Sequence, residues 1–271
     1  MFFYYFEVLD IISHMFWRYQ DTQHPLYEND PRYKGIINGY YEKADQMVGK
    51  ILKQLDKDTI VIILSDHGFT AFRRAVNLNR WLLEQGYLSL KPGTDESKGF
   101  LENIDWQKTK AYALGFGGIY LNKTAREYYG IVSDSDVLAL KDELKRRLQV
   151  FIDPHTGDNV VHAVYLQEEI FQGLASGNAP DLFVGFNAGY RASWQTALGA
   201  VPKTLIDENK RKWSGDHLVD PHLVPGVIFS NKKIAVSAPS IIDIFPTILR
   251  LYGVRFPEDI PGKPLLSSDD T

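Results

Sequence analysis

Apolar residues follow two patterns along the chain, and together they predict strands alternating with helices. A continuous β-branched run at 59–64, without polar alternation, is typical of a buried parallel strand. Apolar residues three and four positions apart recur over 36–55, which predicts a long amphipathic helix leading into that strand. The aromatic and apolar stretch 2–9 indicates an earlier strand. Strand, helix and parallel strand would form a βαβ unit.

The rest of the chain continues the alternation. Further strands are expected at 111–121 as a bent pair, and at 160–165, 181–186 and 225–230. Further helices are expected at 77–83 behind an Asn77 cap, at 133–148, and around Pro246 up to Gly253. We therefore predict an α/β fold, with a mostly parallel sheet sandwiched by helices. One domain over residues 1–271 is expected, in which roughly 87–215 contains inserted loops and smaller substrate-facing elements.

Two metal-type ligands follow the 59–64 strand directly. Asp66 and His67 stand at its carboxyl end, and Gly68 then allows a sharp turn without a Cβ clash. Ligands of open α/β sheets bind beyond the carboxyl ends of strands. The Asp-His-Gly motif is also common in ordinary turns. Whether it marks a metal site here depends on matching ligands elsewhere in the chain.

Two other segments carry matching side chains. Asp10 and His14 are four residues apart, which is one helical turn and places them on one face. His217 lies where a polar loop meets a strand, and His222 is its rival. We prefer His217 because the glycine two residues before it allows close approach to an ion.

Composition limits what these residues could hold. The chain has no cysteine, so thiolate ligands and a cysteine nucleophile are excluded. The net charge of -4, without a basic patch, argues against a nucleic-acid surface. The apolar amino terminus is too short to span a membrane, because Glu7 and Asp10 follow at once. Two carboxylates and three imidazoles suit two divalent ions. Zinc is the first candidate for these ions and manganese is the second.

In this order, Asp10, His14, Asp66, His67 and His217 resemble the ligands of the alkaline phosphatase superfamily. The nearest likeness is to its type I phosphodiesterase/nucleotide pyrophosphatase branch and to the predicted phosphohydrolase/phosphomutase relatives. The carboxyl-terminal segment 243–249, with 251–253 and 261–265 after it, is similar to the closing segment of that superfamily. The resemblance runs from residue 1 to the end of the chain.

The resemblance implies roles for individual residues. Asp10, His14 and His217 match the triplet that holds one ion, and Asp66 and His67 match half of the second site. In the family, an acidic residue on the first strand and a Ser or Thr nucleophile at a helix start complete that second site. Both would precede Met1, so the expectation is an alkaline-phosphatase-like domain that lacks its first strand and nucleophile. The two serines beside the ligands, at positions 13 and 65, are expected to be structural.

The function implied is hydrolysis of a small phosphorylated substrate through a covalent phospho-enzyme, with two metal ions. The 271 residues alone are expected to hydrolyse phosphate esters poorly, and an upstream-extended form to be active. Three alternatives stay open: a phosphomutase, a sulfatase of the same fold, and a catalytically silent metal-binding fragment or subunit. The three histidines disfavour the sulfatase, because sulfatases of that fold hold calcium with oxygen ligands. Many members of the family are exported, which favours an extracytoplasmic location.

Overall fold

The computed structural model describes residues 1–255, 257 and 260–267. The chain divides into two compact units. The first unit comprises Met1–Tyr41 and Phe69–Val224, and the second comprises Glu42–Gly68 and Pro225–Thr271. The single domain over residues 1–271 stays a prediction, because packing into two units is compatible with one continuous fold. Residues 256, 258, 259 and 268–271, which that prediction includes, lie outside the described residues.

Helices and strands alternate along most of the described chain. The helices are α1 (Val8–Phe16), α2 (Ile36–Leu52), α3 (Leu78–Glu84), α4 (Asp134–Gln149), α5 (Gln167–Ile170), α6 (Trp194–Ala197) and α7 (Ile244–Leu251). The strands are β1 (Ile62–Leu64), β2 (Thr70–Val76), β3 (Ala111–Leu114), β4 (Gly118–Leu121), β5 (Val161–Leu166), β6 (Leu182–Phe186), β7 (Gly189–Ala192), β8 (Ile206–Glu208), β9 (Gly215–Asp216) and β10 (Ile228–Ser230). In the described part of the chain, no helix combines the length and the apolar character needed to cross a membrane.

The first unit contains two four-stranded sheets. In one, β2 lies between β7 and β8, and β9 pairs with the start of β2. In the other, the order is β3-β4-β6-β5 and all neighbours are antiparallel. The second unit contains the antiparallel pair of β1 and β10.

The hydrophobic core of the first unit lies around α3, α4 and the antiparallel sheet. Leu140, Leu144 and Leu148 recur every fourth residue on α4 and are buried, which gives this helix one continuous apolar face. Strands β4 and β6 contribute Ile119 and Val184 to the same core. The segment 87–215, expected to contain inserted loops, therefore supplies most of the core of its unit.

The predicted strand at 2–9 is wrong. Residues 2–6 have no regular secondary structure, and α1 begins at Val8. A strand needs a neighbour for its backbone N–H and C=O groups, and among the described residues no strand pairs with this run. Asp10 accordingly lies in a helix rather than at a strand end. The predicted βαβ unit is also wrong, because its first strand is missing.

The α/β class is confirmed, but the direction of the strands needs correction. Strand β1 covers only Ile62–Leu64, is antiparallel to β10, and ends at Leu64, which is 38% exposed. Among the described strand pairs, only β2 and β7 are parallel. A β-branched run favours extended backbone, but the partner that arrives from elsewhere in the chain decides the direction of pairing.

Most other sequence predictions agree with the structure. The helices expected at 36–55, 77–83 and 133–148 are α2, α3 and α4, and the helix at Pro246 is α7. The bent pair at 111–121 is the antiparallel hairpin of β3 and β4. Asn77 stands at the cap position of α3, but its side chain makes no capping hydrogen bond. Its amide instead donates to the Thr204 carbonyl and to Asp207.

Candidate metal centre

Helix α1 places two of the predicted ligands on one face. Asp10 lies in its first turn and His14 in its last. The Oδ2 atom of Asp10 is 3.4 Å from Nε2 of His14, as expected for positions i and i+4. An acid near the amino end also suits the helix dipole. The helix therefore brings these two side chains together without help from distant residues.

Strand β9 fixes the ring of His14. Nδ1 of His14 is 2.8 Å from the Gly215 carbonyl oxygen, and the Ser214 N–H donates to the His14 carbonyl. A carbonyl oxygen only accepts hydrogen bonds, so Nδ1 carries the proton and Nε2 keeps its lone pair facing Asp10. A histidine whose second nitrogen donates to a carbonyl is typical of metal sites.

The third predicted ligand follows β9 directly. Strand β9 pairs with β2 through Thr70 and Asp216, so His217 leaves the sheet at this point. Nε2 of His217 is 3.8 Å from Oδ1 of Asp10, and the rings of His14 and His217 have centroids 5.2 Å apart. The structure thus brings Asp10, His14 and His217 together in the first unit.

The rival histidine lies in a different environment. Nδ1 of His222 is 2.9 Å from Oδ1 of Asp220 and 3.2 Å from the Tyr165 hydroxyl. Its side chain is 74% exposed, whereas that of His217 is 24% exposed. The geometry therefore favours His217 over His222, as the sequence argument did.

Aromatic side chains enclose the histidines. Trp213 stacks on His14 with ring centroids 3.6 Å apart, and Phe69 meets the rings of both histidines edge-on. Burial lowers the pKa of His14 below the usual value. The Gly215 hydrogen bond and the carboxylates of Asp216 and Asp10 oppose this shift in pKa. The neutral imidazole is the form that binds a metal ion.

Asp216, which was not predicted from the sequence, holds the backbone of His217. Its Oδ1 atom accepts hydrogen bonds from the N–H groups of His217 and Leu218, at 2.8 and 3.0 Å. Its Oδ2 atom is 2.7 Å from the fully buried guanidinium of Arg191. The position of Asp216 beside a candidate histidine was the available signal. Nothing in the sequence pointed to Arg191, which lies 25 residues away.

The Arg191 guanidinium is held mainly by rings. Its central carbon lies 4.1 Å from the ring centroid of Trp194, and the rings of Phe72 and Phe116 are within 5 Å. Its Nε and Nη2 atoms are buried and have no hydrogen-bond partner among the described residues. Contacts between a cation and aromatic faces offset part of the cost of this burial. Asp216 thus has a rigid, positively charged partner.

The other two predicted ligands lie side by side in the second unit, after β1. Oδ2 of Asp66 is 3.5 Å from Nε2 of His67, and Nδ1 of His67 is 3.1 Å from the Gly68 carbonyl oxygen. Ser65 accepts a hydrogen bond from the Val227 N–H, a structural role. That Asp66 and His67 form a second ion site stays a prediction.

Comparison with known proteins identifies a family. The family model described as type I phosphodiesterase / nucleotide pyrophosphatase matches residues 1–217. The matched range includes every predicted ligand, with His217 as its last residue. The resemblance drawn from the ligand motifs is thereby confirmed over residues 1–217, and the likeness of the closing segment stays a prediction. A search of curated proteins finds no match to the chain.

Proposed function

Because the chain belongs to the type I phosphodiesterase/nucleotide pyrophosphatase family, we propose that it is a phosphoric ester hydrolase that depends on divalent metal ions. The observation that carries the proposal is the arrangement of Asp10, His14 and His217. The Asp10 carboxylate lies 3.4 Å from Nε2 of His14 and 3.8 Å from Nε2 of His217. These three residues are 207 positions apart at their extremes, which chance packing rarely brings into such an arrangement.

The Asp10 and His14 donor atoms have the spacing of two zinc ligands. Two atoms bound to one tetrahedral zinc at about 2.0–2.1 Å lie roughly 3.3–3.4 Å apart. The Asp10–His14 distance of 3.4 Å matches that value, and the Asp10–His217 distance of 3.8 Å is longer. Nitrogen ligands favour zinc or manganese over calcium, which prefers oxygen. The same argument weakens the sulfatase alternative.

The chain's own residues would prepare the site for a phosphate ester. Divalent ions would supply Lewis-acid polarisation of the phosphoryl oxygens. Asp10 provides negative charge to hold such ions, and Gly215 keeps His14 in the tautomer that can bind them. Phe69 and Trp213 exclude water from the histidine faces, which strengthens electrostatic interactions there. We further propose that Asp66 and His67 serve a second ion, on the strength of their motif and their adjacent side chains.

An assay of two ester classes tests the proposal. Hydrolysis of a bis-aryl phosphodiester and of an aryl monoester is measured with chelator, zinc or manganese. It uses residues 1–271 and an upstream-extended form. We expect metal-dependent turnover of at least one ester, and a loss of about 100-fold or more in Asp10→Asn. Asp30→Asn is the matched control, since Asp30 pairs with Arg32 elsewhere in the first unit. No turnover of either ester by either form, or equal turnover with chelator, would refute the proposal.

A metal-binding role without catalysis is the second candidate. It is favoured by the two serines that adjoin predicted ligands. Ser13 is 1% exposed, so its hydroxyl is closed to a substrate, and the Ser65 oxygen already accepts a backbone hydrogen bond. Zinc binding that Asp10→Asn abolishes, without turnover of any ester by either form, would support this candidate over the hydrolase.

A further inference from the structure

We propose that Trp213 is a positioning residue that fixes His14 and His217 relative to each other before a metal ion binds. The proposal rests on the metal-binding function proposed above. Trp213 touches neither Asp10 nor a reacting group in the described contacts. It acts through the ring of one histidine and through the backbone of the other.

The first contact restrains His14. The indole of Trp213 lies nearly parallel to the imidazole, with ring centroids 3.6 Å apart and planes 26° apart. Stacking keeps the imidazole in one plane, and the Nδ1 hydrogen bond to Gly215 fixes its rotation within that plane. Together the two contacts leave Nε2 with one direction in which to point. His14 is also 2% exposed, so the ring has little room to turn.

The second contact restrains His217. The indole Nε1–H of Trp213 donates to Oδ2 of Asp216 at 2.8 Å, and Oδ1 of the same carboxylate accepts from the His217 N–H at 2.8 Å. Arg191 donates to Oδ2 as well, at 2.7 Å. Asp216 is 1% exposed, and these donors satisfy its charge. The carboxylate cannot shift without breaking several charge-assisted bonds, so it holds the His217 backbone firmly.

Tryptophan suits both tasks. Its flat face can stack on an imidazole while the N–H at its edge donates a hydrogen bond. Phenylalanine keeps the face and loses the donor, whereas leucine loses both. A ligand already held in place gives up less conformational freedom when an ion binds. Changes to residues that orient metal ligands commonly weaken metal binding by about 10–100-fold.

The first experiment uses the metal-free protein and measures the two Trp213 contacts directly. The ring-proton shifts of His14 and the indole N–H signal of Trp213 are recorded by NMR in the presence of chelator. We expect upfield-shifted His14 ring protons that move to ordinary positions in Trp213→Leu, and an indole N–H protected from exchange. An indole N–H that exchanges freely, or His14 shifts unchanged by Trp213→Leu, would overturn the proposal whatever the protein binds.

The second experiment measures zinc affinity by competition with a chromophoric chelator. We expect about tenfold weaker binding in Trp213→Phe and up to about 100-fold weaker binding in Trp213→Leu. Trp106→Leu is the matched control, because Trp106 packs against Tyr112 and the core of the first unit. Equal weakening in Trp106→Leu and Trp213→Leu would indicate general loosening and would overturn the proposal.

The two proposals fail in different ways. If wild-type protein and Asp10→Asn bind zinc with equal affinity, the proposed function fails. The metal-free NMR experiment still tests the positioning role of Trp213. If wild-type protein binds zinc through Asp10, and Trp213→Phe and Trp213→Leu bind zinc as tightly as wild type, only the positioning role of Trp213 is refuted. If Trp213→Leu does not fold, the milder Trp213→Phe still decides the question through its zinc affinity, which should fall about tenfold.

Discussion

Nδ1 of His14 lies 2.8 Å from the carbonyl oxygen of Gly215, although the two residues are 201 positions apart. The contact joins helix α1 to strand β9 and fixes the tautomer of a candidate ligand. It also requires a glycine. A Cβ at position 215 would lie 2.6 Å from the Ser13 carbonyl oxygen and 2.9 Å from Cβ of Trp17.

Gly215→Ala should therefore disturb both stability and metal binding. The added methyl group would force α1 away from β9, and overpacking of this kind costs about 1–3 kcal/mol. We expect a lower urea midpoint and weaker zinc binding, because the His14 ring would lose its carbonyl partner. Gly39→Ala in α2 is the control. A Cβ there would meet no heavy atom within 4 Å, and alanine in a helix should stabilise by roughly 0.5–1 kcal/mol. Wild-type stability in Gly215→Ala would contradict the close approach.

Zinc should stabilise the folded protein. An ion that binds only the folded state at 100 times its dissociation constant adds about 2.7 kcal/mol to the free energy of unfolding. We expect a corresponding rise in the thermal melting temperature after chelator is removed and zinc is added. Asp10→Asn should lose most of the rise, while Asp30→Asn should keep it. A melting temperature that neither zinc nor manganese changes would count against an intact site.

The protein should lose stability below about pH 6.5 through His24. The Leu26 N–H donates to Nδ1 of this buried histidine, and Nε2 lies 3.1 Å from the Phe72 carbonyl oxygen. A proton on Nδ1 would face the N–H of Leu26. Burial lowers the pKa of His24, and the carboxylate of Asp21 opposes this effect only in part.

The sign of the pH effect follows from that lowered pKa. Below about pH 6.5 the unfolded chain takes up a proton at His24 that the folded chain resists, so acid favours unfolding. The contribution is present above that pH and is lost as the pH falls toward the folded pKa. Urea unfolding of wild type and His24→Gln from pH 8 to pH 5 measures it. The free energy of unfolding should fall more steeply with acid in wild type, by at most about 1.4 kcal/mol per pH unit. Parallel curves would show that His24 contributes nothing.

In the second unit, Thr247→Val should loosen the carboxyl-terminal segment. The Thr247 hydroxyl donates to the Asp243 carbonyl at 2.5 Å and accepts from the Leu265 N–H at 2.8 Å. Valine would leave the buried Leu265 N–H without an acceptor, which costs about 1–3 kcal/mol. Amide exchange at Leu265 should become faster, whereas Thr247→Ser should keep it slow. Unchanged exchange in Thr247→Val would show that another group holds this segment.

These contacts stabilise the closing segment, whose likeness to that of the superfamily was predicted from the sequence. The carboxylate of Asp243 accepts hydrogen bonds from the N–H groups of Ser240 and Lys263, at 2.8 and 2.7 Å. With Thr247 it binds the residues after 262 to the start of α7. The part of the resemblance that lies in this segment is therefore structural, and the part that concerns chemistry lies in the histidines and aspartates.

Local sequence determined the features that depend on neighbours in the chain. The apolar spacing of α2 and α4 predicted amphipathic helices, and the glycine-rich run at 111–121 predicted a hairpin. The four-residue spacing of Asp10 and His14 predicted their contact, because a helix brings positions i and i+4 together. Asp66 and His67 are neighbours in the chain, so the sequence alone determined that they lie close together.

Tertiary structure decided every feature that joins distant segments. Periodicity allowed 59–64 to be a strand, but the arrival of β10 made it antiparallel. The Gly-x-His spacing favoured His217 over His222, but only the pairing of β9 with β2 brings His217 beside Asp10. The roles of Gly215 and Arg191 were invisible in the sequence for the same reason. Hydrogen bonds between residues close in the chain set a turn or a helical face, whereas these contacts form only when segments up to 207 residues apart pack together.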